Sequence, residues 1–401
     1  MTEEPTTIEA TADDATEQPA HEATAAVASS TEPDERPPRG MNPSVPPDAN
    51  PEPLPIGIAD MWRIARKTYR AERRYYLKLD RHRKMTSKRL SSSIFPSLKR
   101  SIFIIGAARS GTTFLGDCIG RLPEVTYHHE PPATKAAGRY VYEGLWSYRR
   151  SREFYRLVYR WLVRVERDGD LRFAEKTPTN IFLIPFLAEA FPDSQFIHII
   201  RDGRDAASSH MHKPWLRAED AWSGEREPGG YLHGPWPTFW VEEDRRDEFL
   251  QTSDARRMAW AWRRYTEAGL SDGPALGAER YHELRYEDLV RQPVDEAERL
   301  LDFLDITRQK SRDAFTTATM RADDSSVGTW RSTFYPSELN EIDAEAGELL
   351  RQLGYDDDEQ AAGTQRWLSR GSSGSSISAV SRAACAATGS SSLTRPAGAM
   401  A

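Results

Sequence analysis

The sequence predicts an α/β fold built on a central parallel sheet. Three observations predict it. From residue 101 onward short apolar runs alternate with helical stretches, the pattern of strand–helix–strand units that share one parallel sheet. The first apolar run passes directly into a glycine-rich turn, Gly106-Ala107-Ala108-Arg109-Ser110-Gly111, and then into a helical stretch. The 401-residue chain is polar, with 29% charged against 38% hydrophobic residues, and its first 55 residues hold few apolar side chains, so the core-forming residues lie between the two ends.

Residues 1–55 are rich in Glu, Thr, Ala and Pro and carry twelve acids against Arg36 and Arg39. They hold too few apolar side chains to bury a core, so composition assigns them to a disordered acidic tail. The net charge of −7 therefore belongs to this tail, and the remainder is mildly basic. Residues 56–100 form a basic helical segment. A helix over 58–90 places Met61, Ala65, Tyr69, Tyr76 and Leu79 near one face, with Arg63, Arg66, Lys67, Arg70, Arg73, Arg74 and Lys78 around the rest. Packing on the domain with solvated arginines is the plain reading, and peripheral docking to an anionic surface is the other.

Residues 101–370 are the folded domain. Strands are expected at 101–105, 124–129, 171–174, 195–200 and 280–286. Helices are expected from about Thr112, then over 180–191, 203–211, 255–268, 295–303 and 336–353. The stretch 214–249 is long and irregular, with Trp215, Trp222, Trp236, Trp240 and Tyr231 among glycines and prolines. Loops of that length in a compact domain are usually functional, so it is either a ligand-gripping lid or a loop anchored by its aromatics. Trp260 and Trp262 read as packing residues. Residues 371–401 are rich in Ser, Ala and Gly and read as a flexible tail.

Two cysteines, Cys118 and Cys385, exclude a disulfide scaffold and a cysteine-rich zinc module. No apolar run approaches the roughly 20 residues of a membrane span, and the N-terminus lacks the apolar stretch of a secretory signal. A soluble cytoplasmic protein is expected, with no nucleic-acid partner. The sequence carries nothing on oligomeric state.

The turn after the first strand is an anion cradle. Gly106 and Gly111 permit the turn, and backbone N–H groups at the start of the next helix face the ligand. It is not the loop of an ATP enzyme. Gly111 is followed by Thr112 and Thr113 where such a loop has lysine, and a cation stands inside the loop at Arg109. No apolar strand ends in a metal-holding Asp, because the strand at 195–200 runs into Arg201 before Asp202.

These residues resemble the sulfotransferases that use 3′-phosphoadenosine 5′-phosphosulfate (PAPS). Arg109-Ser110-Gly111-Thr112-Thr113 is similar to that family's 5′-phosphosulfate loop, and an arginine at its head resembles the tyrosylprotein and carbohydrate branches. The segment from Ile200 to Ser209 resembles the 3′-phosphate segment, in which an arginine and a serine eight residues later grip the extra phosphate. Here these are Arg201 and Ser209, with Lys213 as a further basic contact. Arg285-Tyr286-Glu287-Asp288-Leu289 is similar to a segment whose tyrosine lies at the nucleotide, although Tyr286 alone reads as a core aromatic. Ser325–Arg331 loosely resembles the late loop that closes over the nucleotide, which carries over to Gly328, Trp330 and Arg331. The resemblance covers about 101–335 and implies a P-loop-like three-layer fold of the sulfotransferase type.

It also implies the chemistry. A sulfonyl group moves in line to an acceptor hydroxyl or amine, with a base on the acceptor and cations at the transferring group, and no metal is needed. Glu130, 21 residues after Arg109, matches the base of the tyrosylprotein branch; a surface carboxylate before Pro131-Pro132 is the alternative. His128 and His129 are alternative bases, of which a strand presents at most one to the site. Lys176, before Thr177-Pro178, matches a lysine that approaches the leaving oxygen; the alternative is a surface pair with Glu175. Arg109 would hold the phosphosulfate and its developing charge. The acceptor is left open among small molecules, glycans and lipids. Two other classes stay in view. A P-loop nucleotide kinase or NTPase would bind ATP–Mg without affinity for adenosine 3′,5′-bisphosphate. A non-catalytic nucleotide-binding protein of the same fold would bind the bisphosphate and form no sulfated product.

Overall fold

The computed structural model describes residues 36–46, 52–78 and 86–355. Five strands, β1 (Ile102–Ile105), β2 (Val125–His129), β3 (Arg172–Lys176), β4 (Gln195–Ile200) and β5 (Tyr281–Arg285), form one sheet in the order β2-β3-β1-β4-β5. Every pairing is parallel. The centre falls to β1 and β4 because their residues are buried on both faces, as a sheet covered by helices on two sides requires.

The alternation of side chains along these strands divides the interior into two cores. Phe103, Ile105, Phe173, Phe196 and Ile200 enter one of them. It is closed by α1 (Ile58–Lys78), α4 (Pro132–Tyr142), α5 (Tyr148–Val163), α6 (Ile184–Ala190), α7 (Gly203–His210), α9 (Asp254–Asp272) and the helix Pro336–Gln352. Ile102, Ile104, Ala174, Ile197, Ile199 and Leu284 enter the other, against α3 (Thr112–Ile119) and the helices 286–291, 293–303 and 309–319. Among the described residues the remaining α-helices, α2 (Ser87–Ile94), α8 (Arg246–Gln251) and the single turn Trp330–Thr333, are short. The fold is thus a three-layer α/β arrangement of the P-loop-like kind.

Several elements differ from the sequence-based expectation. The helix expected over 58–90 is two helices, α1 and α2; residues 79–85 between them, Leu79 included, lie outside the described residues. The helix expected over 180–191 begins as a 3-10 turn at Pro178–Leu183, and α6 starts at Ile184. Pro185 explains the restart, since its missing N–H is tolerated only in a helix's first turn. α4 and α5 were not anticipated, although α5 buries Phe154, Tyr155, Val158, Tyr159 and Leu162 at helical spacing. Cys118 is buried, and burial pushes its thiol up to about 12, which leaves it unreactive. Cys385 and the stretch 371–401 lie outside the described residues, as do residues 1–35 and 356–370.

Residues 36–46 fall within the stretch that composition assigns to the acidic tail, yet they pack on the domain. Arg39 donates from Nε to Glu338 Oε1 at 2.7 Å and from Nη2 to Glu338 Oε2 at 2.7 Å, a bidentate pair. Arg257 Nη2 donates to Gly40 O at 2.8 Å. Glu338 is fully buried, so Arg39→Ala would leave its carboxylate without its cation. The expected loss is about 1–3 kcal/mol, less than breaking a fully buried pair costs, because Arg39 itself is partly solvated. Denaturant unfolding checks it, and an unchanged midpoint would mean that this strap adds nothing. No helix among the described residues is long and apolar enough to cross a membrane.

Candidate active site

The carboxyl ends of all five strands open on one edge of the sheet, where ligands of parallel α/β sheets bind. In spatial order the residues just past those ends are Glu130, Lys176, the loop 106–111, Arg201 and Tyr286. The strand order has therefore sorted the chemistry. A carboxylate and a lysine lie on one side of the loop, and an arginine and a tyrosine on the other.

The loop has the backbone of an anion cradle. Gly111 has φ +86°, a left-handed conformation, and a Cβ there would stand 2.4 Å from the Tyr286 ring. Gly106 approaches β4 so closely that a Cβ would meet Ile199 O at 2.4 Å. Arg109, which has a side chain, is nevertheless held at φ +69°. Strain of this kind persists where the surroundings over-determine the backbone, and here it aims the Arg109 guanidinium. Ser110 is buried and its hydroxyl has no partner among the described residues, Thr112 is buried, and Thr113 is exposed at the start of α3.

On the Arg201 side the two sequence motifs meet. Arg109 Nε donates to Ser209 Oγ at 3.0 Å, and Arg201 Nη1 donates to Arg109 O at 3.0 Å. Burial, and then the Arg201 charge, hold the Arg109 guanidinium below its ordinary value. Two cations lie side by side, and neither has a carboxylate partner among the described residues. Arg201 lies over the Tyr286 ring, 4.6 Å from its centre, and donates to Ser326 O. Tyr286 and Ser326 share a hydroxyl hydrogen bond of 2.7 Å. Lys213 follows α7, and its charge acts together with that of Arg109 on buried His210, which burial foremost pushes down to about 3. His210 is thus neutral at pH 7, and its Nε2 has no partner among the described residues.

The late loop is latched to α7 by Asp205. Its carboxylate accepts from Gly328 N at 2.7 Å, Thr329 Oγ1 at 3.1 Å and Trp330 N at 3.1 Å. Trp330 is stacked between Arg204, at 4.1 Å, and Arg331, at 4.4 Å. It lines a groove with Leu339, Ile342 and Tyr355. The loop reaches the paired arginines through Ser326. Behind β4, buried Glu287 accepts from Asp202 N at 2.9 Å and from Tyr355 OH at 3.0 Å, which fixes the strand exit.

On the other side Glu130 is clasped by two lysines. Lys176 Nζ donates to Oε1 at 2.6 Å and Lys135 Nζ to Oε2 at 3.0 Å. Burial alone would raise this carboxyl, but Lys135 and Lys176 outweigh it and bring it down to about 2. Glu130 sits at φ +41°, with its N–H donating to Lys176 O at 2.8 Å, so β2 and β3 fix both residues. Lys176 is 2% exposed and has no surface pair with Glu175. Glu175 points to the opposite face, where it is buried and accepts from Tyr159, from Thr134 at 2.9 Å and from Thr177 at 2.8 Å. The two histidines divide as the pleat requires. His128 is fully buried, stacks on Phe173 and is 2.8 Å from Glu72 Oε2, away from the edge. His129 is half exposed, with Nε2 3.9 Å from Glu130 Oε1.

The irregular stretch 214–249 is largely held by its own aromatics. Tyr231, Trp236 and Trp240 are buried, Trp215 meets the His210 ring edge-on at 5.5 Å, and Trp222 is 61% exposed. It also supplies Glu227, whose carboxylate is 3.9 Å from Lys135 Nζ. Buried Tyr265 feels the charges of both Glu227 and Glu130. Next to it lie Phe182, 4.6 Å ring to ring, then Phe239 and Tyr142. Lys135, Glu227, Asp205, His210 and Ser326 were not singled out in the sequence. The one available signal was Lys135, five positions after Glu130 at the start of a helix.

A nucleotide with phosphates at both ends fits these residues. The cradle, the orphaned Ser110 Oγ, the orphaned Arg201 Nε and the paired arginines all call for anionic oxygen. Residues 101–310 match the profile described as the sulfotransferase family. Over 132 residues the chain is 32% identical to the omega-hydroxy-beta-dihydromenaquinone-9 sulfotransferase Stf3 of Mycobacterium bovis, and equally to that of Mycobacterium tuberculosis. That match covers 32% of this chain and 27% of each relative, so it spans about a quarter of their length. Similar solved structures include sulfotransferase STF9 from Mycobacterium avium, at TM-score 0.44 and 14% identity over 76% of this chain and 87% of that one. Mouse sulfotransferase SULT7A1 complexed with PAP gives TM-score 0.35 and 16% identity over 67% and 94%.

Proposed function

The chain belongs to the sulfotransferase family, and from that premise we propose that it moves a sulfonyl group from PAPS to the hydroxyl of an apolar, lipid-like or aromatic acceptor. The observation that carries this is the order along the sheet edge: base and lysines, then cradle, then paired arginines. When bound, PAPS supplies an activated sulfonyl group and leaves as adenosine 3′,5′-bisphosphate. The loop N–H groups, Ser110, Gly111, Thr112, Thr113 and Arg109 would hold its 5′ end. Arg201, Ser209 and Lys213 would hold the 3′-phosphate, with Tyr286 beside them and the latched loop of Gly328, Trp330 and Arg331 closing over them.

Glu130 is the base in this reading, and its proton affinity depends on who shares Lys176. With both lysines attached, at about 2, it is a weak base. A Lys176 ammonium drawn toward anionic oxygen leaves Glu130 with Lys135 alone and raises its basicity. The same movement brings a cation to the leaving oxygen, so donor engagement and base activation are one event. Tyr265, within reach of the Glu130 charge, and the packed rings of Phe182 and Phe239 next to it support an apolar acceptor. The printed name of Stf3, which places a hydroxyl on a menaquinone, supports a lipid-like one.

Melting temperature tests the donor site, since a ligand bound only to the folded state stabilises it by mass action. Adenosine 3′,5′-bisphosphate should raise it and ATP–Mg should do much less; equal shifts would count against a dedicated 3′-phosphate grip. Arg201→Ala should weaken the bisphosphate on the order of ten- to hundred-fold, the worth of a charged hydrogen bond. A nucleotide lacking the 3′-phosphate should lose far less. For the acceptor, transfer of ³⁵S from labelled PAPS to a prenylated quinol alcohol should exceed transfer to a monosaccharide, and the reverse preference removes the apolar reading.

A further inference from the structure

We propose that the face formed by α1, α2 and the end of α5 is a docking surface for an anionic lipid bilayer. A groove of about 640 Å³ runs along α1, walled by Arg66, Arg70, Arg73, Arg74 and Arg164 with Tyr69 and Trp161 between them. Among the described residues Arg66, Arg70, Arg73 and Arg74 have no ion pair. Of the nearby carboxylates, Asp60 pairs with Arg63, Glu72 with His128 at 2.8 Å and Asp168 with Arg89 at 3.1 Å, while Glu166 is buried. Like charges crowded on one helix face cost stability unless something anionic covers them.

The second observation is apolar. Arg164, which lines the groove, donates to Ser93 O at 2.7 Å and Ile94 O at 2.6 Å and so fastens the end of α2 to the groove's rim. That end presents Leu90, Ile94 and Phe95 to solvent, Phe95 at 86% exposure, and α1 adds exposed Leu77 on the groove itself. Leu90 and Ile94 are one turn apart and share a side of α2. Apolar side chains ringed by arginines match a bilayer interface, where headgroup charge lies over acyl chains. A polyanion such as RNA would use the arginines and find no counterpart for Leu90 and Ile94. The surface is separate from the strand-end site, and it stands whether or not the acceptor proves to be a lipid.

Co-sedimentation of the full chain with vesicles tests it. The chain should bind phosphatidylcholine vesicles containing one-third phosphatidylserine, bind pure phosphatidylcholine weakly, and be released by salt. Arg66→Ala with Arg70→Ala should lower partitioning about five-fold for each arginine removed. Phe95→Ser, with its ring almost wholly in solvent, should fold normally and still lose binding to the anionic vesicles, because burial of the ring is lost while the charge is unchanged. Two results would overturn the proposal. One is no binding to anionic vesicles at low salt. The other is arginine-dependent binding that is indifferent to Phe95→Ser and displaced by single-stranded RNA, which would make the groove a polyanion site.

Discussion

Glu130→Gln should lower kcat by about 10²–10⁴-fold while leaving the affinity for adenosine 3′,5′-bisphosphate nearly unchanged, the usual worth of a positioned base. The amide is close in shape but cannot take the acceptor's proton, so binding and chemistry separate. Steady-state kinetics with PAPS and an alcohol acceptor, beside direct bisphosphate titration, measure both. Arg109→Ala should differ by damaging both, because the proposed role of the loop cation is to hold the donor before and during transfer. A phenolic acceptor should partly rescue Glu130→Gln at high pH, as the phenol ionises unaided, and an aliphatic alcohol should not. Near-normal turnover in Glu130→Gln would falsify the assignment and promote His129. That residue faces the same edge at 3.9 Å, whereas His128 is buried against Glu72 and Phe173.

The parts of this site legible in the sequence are those that a strand end carries by itself. A run such as Ile102–Ile105 ending in glycine, or Gln195–Ile200 ending in arginine, announces both the element and the residue delivered at its tip. A parallel sheet then brings the tips together whatever the strand order. Lys176 and Glu130 also stand at the tips of β3 and β2, but the family resemblance, not the strand pattern alone, singled them out. What the sequence left unread depends on the third dimension. The Glu130 clasp needs Lys135 from α4 and, behind it, Glu227 from a loop almost 100 positions away, and no local pattern links them. Asp205 reads as one more acid near Asp202, and only the structure shows it holding the loop at 328–330. The packing of residues 36–46 was hidden by composition: a segment poor in apolar side chains can still be fixed by one arginine that meets a buried carboxylate.

Lys176→Met should be the second large loss, about 10²–10³-fold in kcat, comparable to deleting a donor aimed at developing negative charge. The substitution keeps most of the length and removes the charge. Glu130 keeps Lys135 at 3.0 Å, so no buried carboxylate is stranded and the fold should survive. Two further readouts separate a role in chemistry from a structural one. Loss of one of its two cations raises the Glu130 carboxyl from about 2, so the acid limb of kcat against pH moves upward. Stability should shift in the same direction. A carboxylate with a depressed value stabilises the fold above its unfolded value near 4.5 and loses that contribution as pH falls through its folded value. With the folded value raised, the contribution shrinks and is lost at a higher pH. Lys176→Arg keeps a cation and should recover part of the rate. If Lys176→Met turns over within a few-fold of the parent, and its acid limb still moves, then the lysine only tunes Glu130, and the charge at the leaving oxygen must come from Arg109 or the loop's N–H groups.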